Sequence, residues 1–378
     1  MTAKHPPRLW SPLPTARQLA LLRLVLSPDL DLRALESWSR GVNVQALDEG
    51  TMRLLPSLYS RLKSTGIDHP LLPIVRSLYC RSLYRNRLLL HRGLAVVKAL
   101  SREGISCLLL KGAALGLGYY PHLGERPMGD IDILVPDKTA PESVHAVMKA
   151  GKAMNLRDRA LHAHTYLDRD GLEYDIHWHL LPELAYAGSS RTLWERAETI
   201  PLERENWLTL CPEDHVFHIL AHGLRVSNVL PLRWIVDTAT VLRAKPEFDW
   251  GQLVEQTRLT ATTVPVTRGL SFLVNEGFVG DAGAQALRSL KELPTRRVDR
   301  YVFAGQMHRP SLGYSILRPF LLYCRLRRLA GEGIVPSFAR FIVALWDLQS
   351  SSQIPRALLG KFGAKLLGRR PGSREAQT

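Results

Sequence analysis

The chain has few cysteines and no long uninterrupted apolar stretch. Its four cysteines, Cys80, Cys107, Cys211 and Cys324, lie far apart and form no Cys-x-x-Cys pair. This spacing argues against a disulfide framework and against a structural zinc site. No segment is long enough for an uninterrupted membrane span, and the first residues lack the continuous apolar segment of a secretory signal. The sequence therefore predicts a cytoplasmic protein without a transmembrane segment.

Acidic residues are scarce relative to basic ones, with 35 Asp and Glu against 50 Lys and Arg. The excess is concentrated near the end, where twelve Lys or Arg and three Asp or Glu follow from His308 onward. Basic and apolar residues alternate there at helical spacing, which suits peripheral contact with RNA or an anionic membrane. The alternative is that these helices bury their apolar stripes and leave their arginines in water.

Apolar residues recur at three- and four-residue steps on both sides of a central segment, which predicts helices there. We expect a helical N-terminal region (1–100), an α/β core (101–205), a helical domain that packs on the core (206–300), and a basic helical C-terminal region with a tail (301–378). The predicted fold class is α/β (α+β), with a small mixed sheet flanked by helical N- and C-terminal regions.

The central segment around Leu108–Val135 has the pattern of strand, helix and strand. Ile105–Leu110 is a short apolar stretch that predicts a buried strand, and Ala113–Tyr120 predicts a helix that ends before Pro121. Ile131–Val135 predicts a second strand.

Asp130 and Asp132 lie at the start of that second strand. Successive side chains of a strand point to opposite faces, so the two carboxylates share one face while Ile131 and Ile133 enter the core. Repulsion makes both carboxylates hard to ionise unless a cation lies between them. Oxygen ligands that leave room for water and phosphate suit Mg²⁺ or Mn²⁺. The spacing therefore predicts a metal site.

Lys111-Gly112 follows the first strand directly. Glycine there allows backbone N–H groups to approach a phosphate closely, and the positive end of the following helix favours an anion. Lys111 and Arg126 are then expected to pair with the remaining phosphate charge.

These motifs resemble the nucleotidyltransferase superfamily that includes DNA polymerase beta. LLKG, followed by a tyrosine, an arginine and GDIDILV, is similar to a poorly characterised bacterial branch with a Lys-Gly motif. The superfamily usually has Gly-Ser or Gly-Gly where this chain has Lys111-Gly112, and the loop before Asp130 is long. The resemblance implies a polymerase-beta-like core, a nucleoside triphosphate (NTP) substrate and Mg²⁺ (or Mn²⁺).

A predicted hairpin, Thr165–Asp168 and Glu173–His179, supplies further polar residues. Its second strand places Asp175, His177 and His179 on one face. The resemblance implies that Asp175 is the third carboxylate, which completes the metal site and accepts the proton of the attacking hydroxyl. His177 is at a family-like Asp-x-His-Trp position, where it contacts phosphate or orients a carboxylate; zinc binding by His177 and His179 is the alternative. The opposite face carries Tyr174, Ile176 and Trp178.

Two later residues, His222 and Asp237, are second-rank candidates. His215, His218 and His222 are interleaved with an apolar helical stripe, where histidines more often hydrogen-bond within the protein than bind a ligand. Arg233, Trp234 and Asp237 again resemble the same bacterial branch, in which this helical part closes over the site.

The main hypothesis is a metal-dependent nucleotidyltransferase that transfers a nucleoside monophosphate (NMP) from an NTP to a hydroxyl, with release of pyrophosphate. The departure at Lys111-Gly112 leaves a catalytically weak nucleotide-binding module as an alternative. The basic C-terminal region leaves a toxin-like or tRNA-directed enzyme as another. The sequence selects neither the nucleotide base nor the acceptor, which is a small molecule, a protein or tRNA.

Overall fold

The structure is a computed structural model that describes residues 13–152, 155–202, 205–225, 232–305, 312–331 and 336–366. A seven-stranded mixed sheet forms its centre, and helices precede and follow it along the chain. This architecture confirms the predicted α/β (α+β) fold class, with a mixed sheet flanked by helical N- and C-terminal regions. Among the described helices, none has both the length and the apolar character needed to cross a membrane.

The sheet has the strand order β3-β4-β5-β2-β1-β7-β6. The pairs β2–β5 and β1–β7 are parallel, whereas the other neighbours are antiparallel. The parallel pair β2–β5 matters most for the site, because it brings the two acidic strands side by side. The strands are β1 (Leu108–Leu109), β2 (Asp130–Leu134), β3 (Asn155–Arg159), β4 (Ala163–Leu167), β5 (Glu173–His177), β6 (Glu198–Leu202) and β7 (Glu205–Thr209).

Helices cover both faces of the sheet. The helices that precede the first strand in the sequence are α1 (Ala16–Leu26), α2 (Leu32–Ser39), α3 (Glu49–Met52), α4 (Leu55–Thr65) and α5 (Leu72–Arg102). Those between its strands are α6 (Lys111–Gly118), α7 (Pro141–Lys152) and α8 (Arg191–Glu195). Those after it are α9 (Pro212–Gly223), α10 (Arg233–Ala244), α11 (Trp250–Thr260), α12 (Thr263–Asn275), α13 (Asp281–Glu292), α14 (Arg297–Ala304), α15 (Leu312–Ala330), α16 (Phe338–Leu345) and α17 (Ile354–Leu366).

The two faces of the sheet belong to different apolar clusters. Ile131 and Ile133 pack with residues of α5 and α7 in one cluster, as predicted. Leu134 belongs to the other cluster, which also includes residues of α1, α4 and α9–α13. Helices from regions 1–100 and 206–300 therefore share one core, on the face of the sheet toward which Asp130 and Asp132 point. The division into four regions remains a prediction.

Buried ion pairs connect the C-terminal helices to the rest of the protein. Arg318 of α15 and Arg225 both bind the fully buried carboxylate of Glu183. Arg328, also on α15, binds the buried Asp299 at 2.8 Å. Two arginines of this basic region, Arg318 and Arg328, therefore form ion pairs within the protein.

Several elements near the site differ from their predicted bounds. The first strand is Leu108–Leu109 rather than Ile105–Leu110, because only these residues are paired in register with both β2 and β7. The helix that follows begins at Lys111, not at Ala113, so Lys111 and Gly112 form its first turn and are not a separate loop. The strand β5 ends at His177, two residues before the predicted His179.

Candidate functional site

The register of β2 and β5 places Asp132 beside Asp175. Ligand atoms of Asp132, Asp175 and His177 all lie within 4.8 Å of one another, and this is the one cluster of that kind among the described residues. Asp130 is opposite Glu173 and lies outside the cluster. Two carboxylates and an imidazole thus come together, where the sequence predicted three carboxylates.

Asp132 is buried, and one of its carboxylate oxygens contacts both Lys111 and His177. Lys111 Nζ lies 2.5 Å from Asp132 Oδ1, and His177 Nε2 lies 3.0 Å from the same oxygen. Burial opposes ionisation, but Lys111 and His177 outweigh it and hold the pKa of Asp132 far below its usual range. Asp132 is therefore a carboxylate anion at neutral pH.

Lys111 adopts an unusual backbone conformation for a residue with a side chain. Its φ is 42°, in the left-handed region that favours glycine. Burial lowers the pKa of its ammonium, but the carboxylates of Asp132 and Asp130 raise it more strongly. The sequence assigned Lys111 to phosphate, and in the structure its ammonium binds Asp132. Such strain at a charged residue is typical of functional sites.

Asp130, two residues before Asp132 on β2, is partly buried. Burial and the neighbouring Asp132 raise its pKa to about 6, although Lys111 opposes them. Burial and repulsion thus make Asp130 hard to ionise, as predicted, whereas the same prediction is wrong for Asp132, which Lys111 and His177 keep ionised.

Asp130→Asn should remove this repulsion. Between the ordinary pKa of 3.8 and the folded value of about 6 the native state binds more protons, so wild-type stability should fall as pH rises through this window. The variant should lack this fall and be more stable by up to about 3 kcal/mol at pH 8. Urea unfolding in EDTA at pH 4.5 and pH 8 measures the difference. Equal pH profiles for both proteins would show that Asp130 ionises freely.

Arg126 is held in a buried ion pair with Asp237. Its Nε and Nη2 donate to the two oxygens of Asp237 at 2.8 and 2.9 Å, and Tyr120 Oη donates to Asp237 Oδ1 at 2.7 Å. The sequence predicted Arg126 as a phosphate ligand and Asp237 as a second-rank site candidate. It did not predict the ion pair between them. They are 111 positions apart, so no local pattern could pair them.

Gly112 packs against this arginine. A Cβ at position 112 would lie 3.1 Å from Arg126 Nη1 and 3.2 Å from Met128 Cγ. The glycine therefore allows a close approach of side chains, in addition to any role at a phosphate.

Gly112→Ala should destabilise the protein by about 1–2 kcal/mol, because it crowds a well-packed buried position. Gly129→Ala is the matched control, since a Cβ at Gly129 would meet nothing within 4 Å. Chemical denaturation of both variants tests this. Equal stabilities would mean that Arg126 moves aside without loss.

Asp175 is held by the neighbouring strand of the hairpin. Thr165 Oγ1 donates to Asp175 Oδ1 at 2.6 Å. On the opposite face Tyr174, Ile176 and Trp178 are buried, which confirms the predicted register of this strand. His179 is not part of the site, because its Nδ1 lies 2.9 Å from Ser189 Oγ. Burial lowers the pKa of His179 to about 4. It belongs to no metal-binding group with His177 in the described part of the chain.

A cavity of about 250 Å³ opens beside these residues. It lies between the sheet face that carries Asp130 and Asp132 and the helices α6, α9 and α10. Arg53, next to α3, also lines it. Its polar lining comprises Arg53, Lys111, Arg126, Asp130, Asp132, His215, His218, His222, Arg233 and Asp237.

The three histidines of α9 differ in their surroundings. His215 is buried, its Nε2 lies 3.0 Å from Thr209 Oγ1, and burial lowers its pKa to about 3. His218 is buried, and its Nε2 has no hydrogen-bond partner among the described residues. His222, the second-rank candidate, is exposed and lines the cavity.

Sequence reasoning missed Arg53 and His218. Arg53 lies in the N-terminal helical region, to which no chemistry was assigned, and nothing in its local pattern marks it. The sequence pattern shows His218 only as one of three histidines interleaved with an apolar helical stripe. Its spacing of four residues from His222 places the two imidazoles on one side of the helix, and this was the available signal.

Residues 50–274, more than half of the chain, match the sequence profile of a family described as "Uncharacterised nucleotidyltransferase". The match includes all the site residues named above. No curated protein matches the chain significantly.

Proposed function

The chain belongs to the uncharacterised nucleotidyltransferase family, and from that premise we propose that it is a metal-dependent enzyme that transfers NMP from an NTP to a hydroxyl acceptor. The observation that carries this proposal is the parallel register of β2 and β5, which sets Asp132 beside Asp175 on the cavity face of the sheet. Pyrophosphate is the second product.

The donor set suits a divalent cation. Ligand atoms around Mg²⁺ lie at 2.0–2.1 Å from the ion, so they are at most about 4.2 Å apart. Asp132, Asp175 and His177 are within 4.8 Å of one another, so a small inward movement is enough. Asp130, whose pKa is raised by burial and by the neighbouring Asp132, is the proposed additional ligand from the same strand. The imidazole of His177 makes Mn²⁺ as suitable as Mg²⁺.

When bound, a divalent metal polarises the α-phosphate and offsets charge on the transferred group. The protein's own residues supply the rest. The acceptor oxygen forms a bond to the α-phosphorus, and the bond from that phosphorus to the bridging oxygen breaks, so pyrophosphate leaves with the electron pair. The hydroxyl proton passes to Asp175, which Thr165 holds in place. In the metal-free protein His177 orients Asp132 through their 3.0 Å contact.

The triphosphate contacts remain proposals. Lys111, Gly112 and Arg126 line the cavity, which supports their assignment. His177 is buried against Asp132 and is not part of that lining, so its role as an orienting group is better supported than direct contact with phosphate.

A second candidate is a nucleotide-binding module with weak turnover. The observation that favours it is the ammonium of Lys111, which lies on the carboxylate oxygen that a metal would use. The RNA-directed alternative has less support, since arginines of α15 pair with Glu183 and Asp299 inside the protein.

Pyrophosphate release tests the proposal. The purified protein is incubated with each NTP, Mn²⁺ or Mg²⁺, and separate pools of small hydroxyl compounds, proteins and tRNA. We expect metal-dependent release that EDTA abolishes and that requires one of the pools. Calorimetric binding of an NTP without release in any pool would favour the module instead. Absence of both binding and release would contradict both candidates.

A further inference from the structure

Arg233, the first residue of α10, is a half-buried cation beside the cavity. It donates from Nη1 to the backbone oxygen of Pro127 at 2.5 Å and lines the cavity. Among the described residues it forms no ion pair. Burial and repulsion from Arg126 lower its pKa to about 10, although attraction to Asp237 opposes them, so it is still charged at neutral pH.

Asp237 and Asp130 both attract Arg233, but neither forms an ion pair with it among the described residues. Both oxygens of Asp237 accept from Arg126, and one of them also accepts from Tyr120. Asp132 is bound by Lys111. Arg233 thus lies near carboxylates but pairs with none of them in the described part of the chain, which leaves its guanidinium available to an anion in the cavity.

Other groups at the same cavity lack partners or carry positive charge. Arg53 lines the cavity and has a carboxylate partner, Glu49, only within its own helical turn. The buried Nε1 of Trp234 and Nε2 of His218 have no partner among the described residues, and both residues line the cavity. Guanidinium groups and N–H donors together are suited to the oxygens of phosphate chains.

We propose that Arg233 and Arg53 form a subsite for a polyphosphate chain, placed across the cavity on α10 and beside α3. Under the proposed function this chain is the β- and γ-phosphates of the NTP, and in that respect the inference rests on that function. The anion site itself does not require transfer to occur. It also gives the N-terminal helical region a part in substrate binding.

Inorganic tripolyphosphate is the probe, titrated calorimetrically in EDTA. We expect the wild-type protein to bind it and Arg233→Met to bind about tenfold or more weakly, since a charge-assisted contact is lost. Arg258→Met is the matched control. It removes an exposed arginine that pairs with Glu255 and does not line the cavity, and its affinity should stay within about twofold of wild type.

Thermal unfolding separates a ligand role from a structural one. Without tripolyphosphate, Arg233→Met should unfold close to the wild-type temperature, because Arg233 is only half-buried and forms no ion pair among the described residues. With tripolyphosphate, the wild-type midpoint should rise and that of the variant should not. Arg53→Met, at a partly exposed position, tests the same subsite without disturbing the core. It should weaken binding in the same direction.

Three outcomes would overturn the subsite: no binding of tripolyphosphate by the wild type, unchanged affinity in both Arg233→Met and Arg53→Met, or equal loss in the Arg258→Met control. Binding that depends on Arg233 in a protein that transfers nothing would support the subsite and end the proposed function. Transfer by Arg233→Met with an unchanged KM for NTP would support the proposed function and overturn the subsite.

Discussion

Asp132→Asn should lower nucleotidyl transfer by about a thousandfold or more. The substitution keeps the shape of the side chain but removes the charge that lies nearest to Asp175, and metal-assisted stabilisation of the transition state is worth several kcal/mol. Steady-state release of pyrophosphate with the identified acceptor measures the effect. A rate within tenfold of wild type would exclude Asp132 from the metal site.

In Asp132→Asn, a loss of folding stability must be distinguished from a loss of catalytic activity. Asp132→Asn leaves the Lys111 ammonium without its counter-charge, and breaking a buried pair on one side costs about 3–5 kcal/mol. The double variant Asp132→Asn with Lys111→Met removes both charges together. It should be more stable than Asp132→Asn alone and equally inactive. Recovery of activity along with stability would show that Asp132 acts only on the fold.

Lys111 should give the second large effect, and two substitutions distinguish its causes. Lys111→Ala and Lys111→Gly both remove the ammonium from Asp132 and should destabilise the metal-free protein by about 3 kcal/mol. Glycine also relieves the positive φ of 42° at this position, so Lys111→Gly should be more stable than Lys111→Ala by about 1 kcal/mol.

Metal binding gives an independent readout on Lys111. The ammonium lies on the oxygen of Asp132 that a cation would use, so its removal should increase the rise in unfolding temperature produced by Mn²⁺. Thermal scans of wild type and both variants, with and without Mn²⁺, measure this. A smaller Mn²⁺ effect in the variants would mean that Lys111 helps to hold the metal site open and does not compete for it.

Part of the geometry of the candidate site was predictable from the sequence, because that part is local. Alternation along a strand fixes which residues share a face, and this placed Asp130 and Asp132 together and Asp175 opposite Tyr174 and Ile176. The buried positions of Tyr174 and Ile176 confirm that register. The resemblance then supplied the pairing of the two strands, which alternation alone does not contain.

The partners of the charged groups were not predictable. Lys111 binds Asp132 only because β1 and β2 are neighbours in the sheet. Arg126 binds Asp237 only because α10 closes over the cavity. Both contacts depend on packing between distant segments, and a basic residue near acidic ones has several geometrically reasonable partners in the sequence. The cations around the cavity therefore had to be assigned from the structure.

We propose that Asp132, Asp175 and His177 hold a divalent cation. Crystals soaked in Mn²⁺ test this most directly. An anomalous difference map should show a peak bonded to carboxylate oxygens of both Asp132 and Asp175, with the Lys111 ammonium displaced from Asp132. The peak should disappear in Asp175→Asn crystals. A map with no peak between these carboxylates at saturating Mn²⁺, with Lys111 still bound to Asp132, would contradict the account.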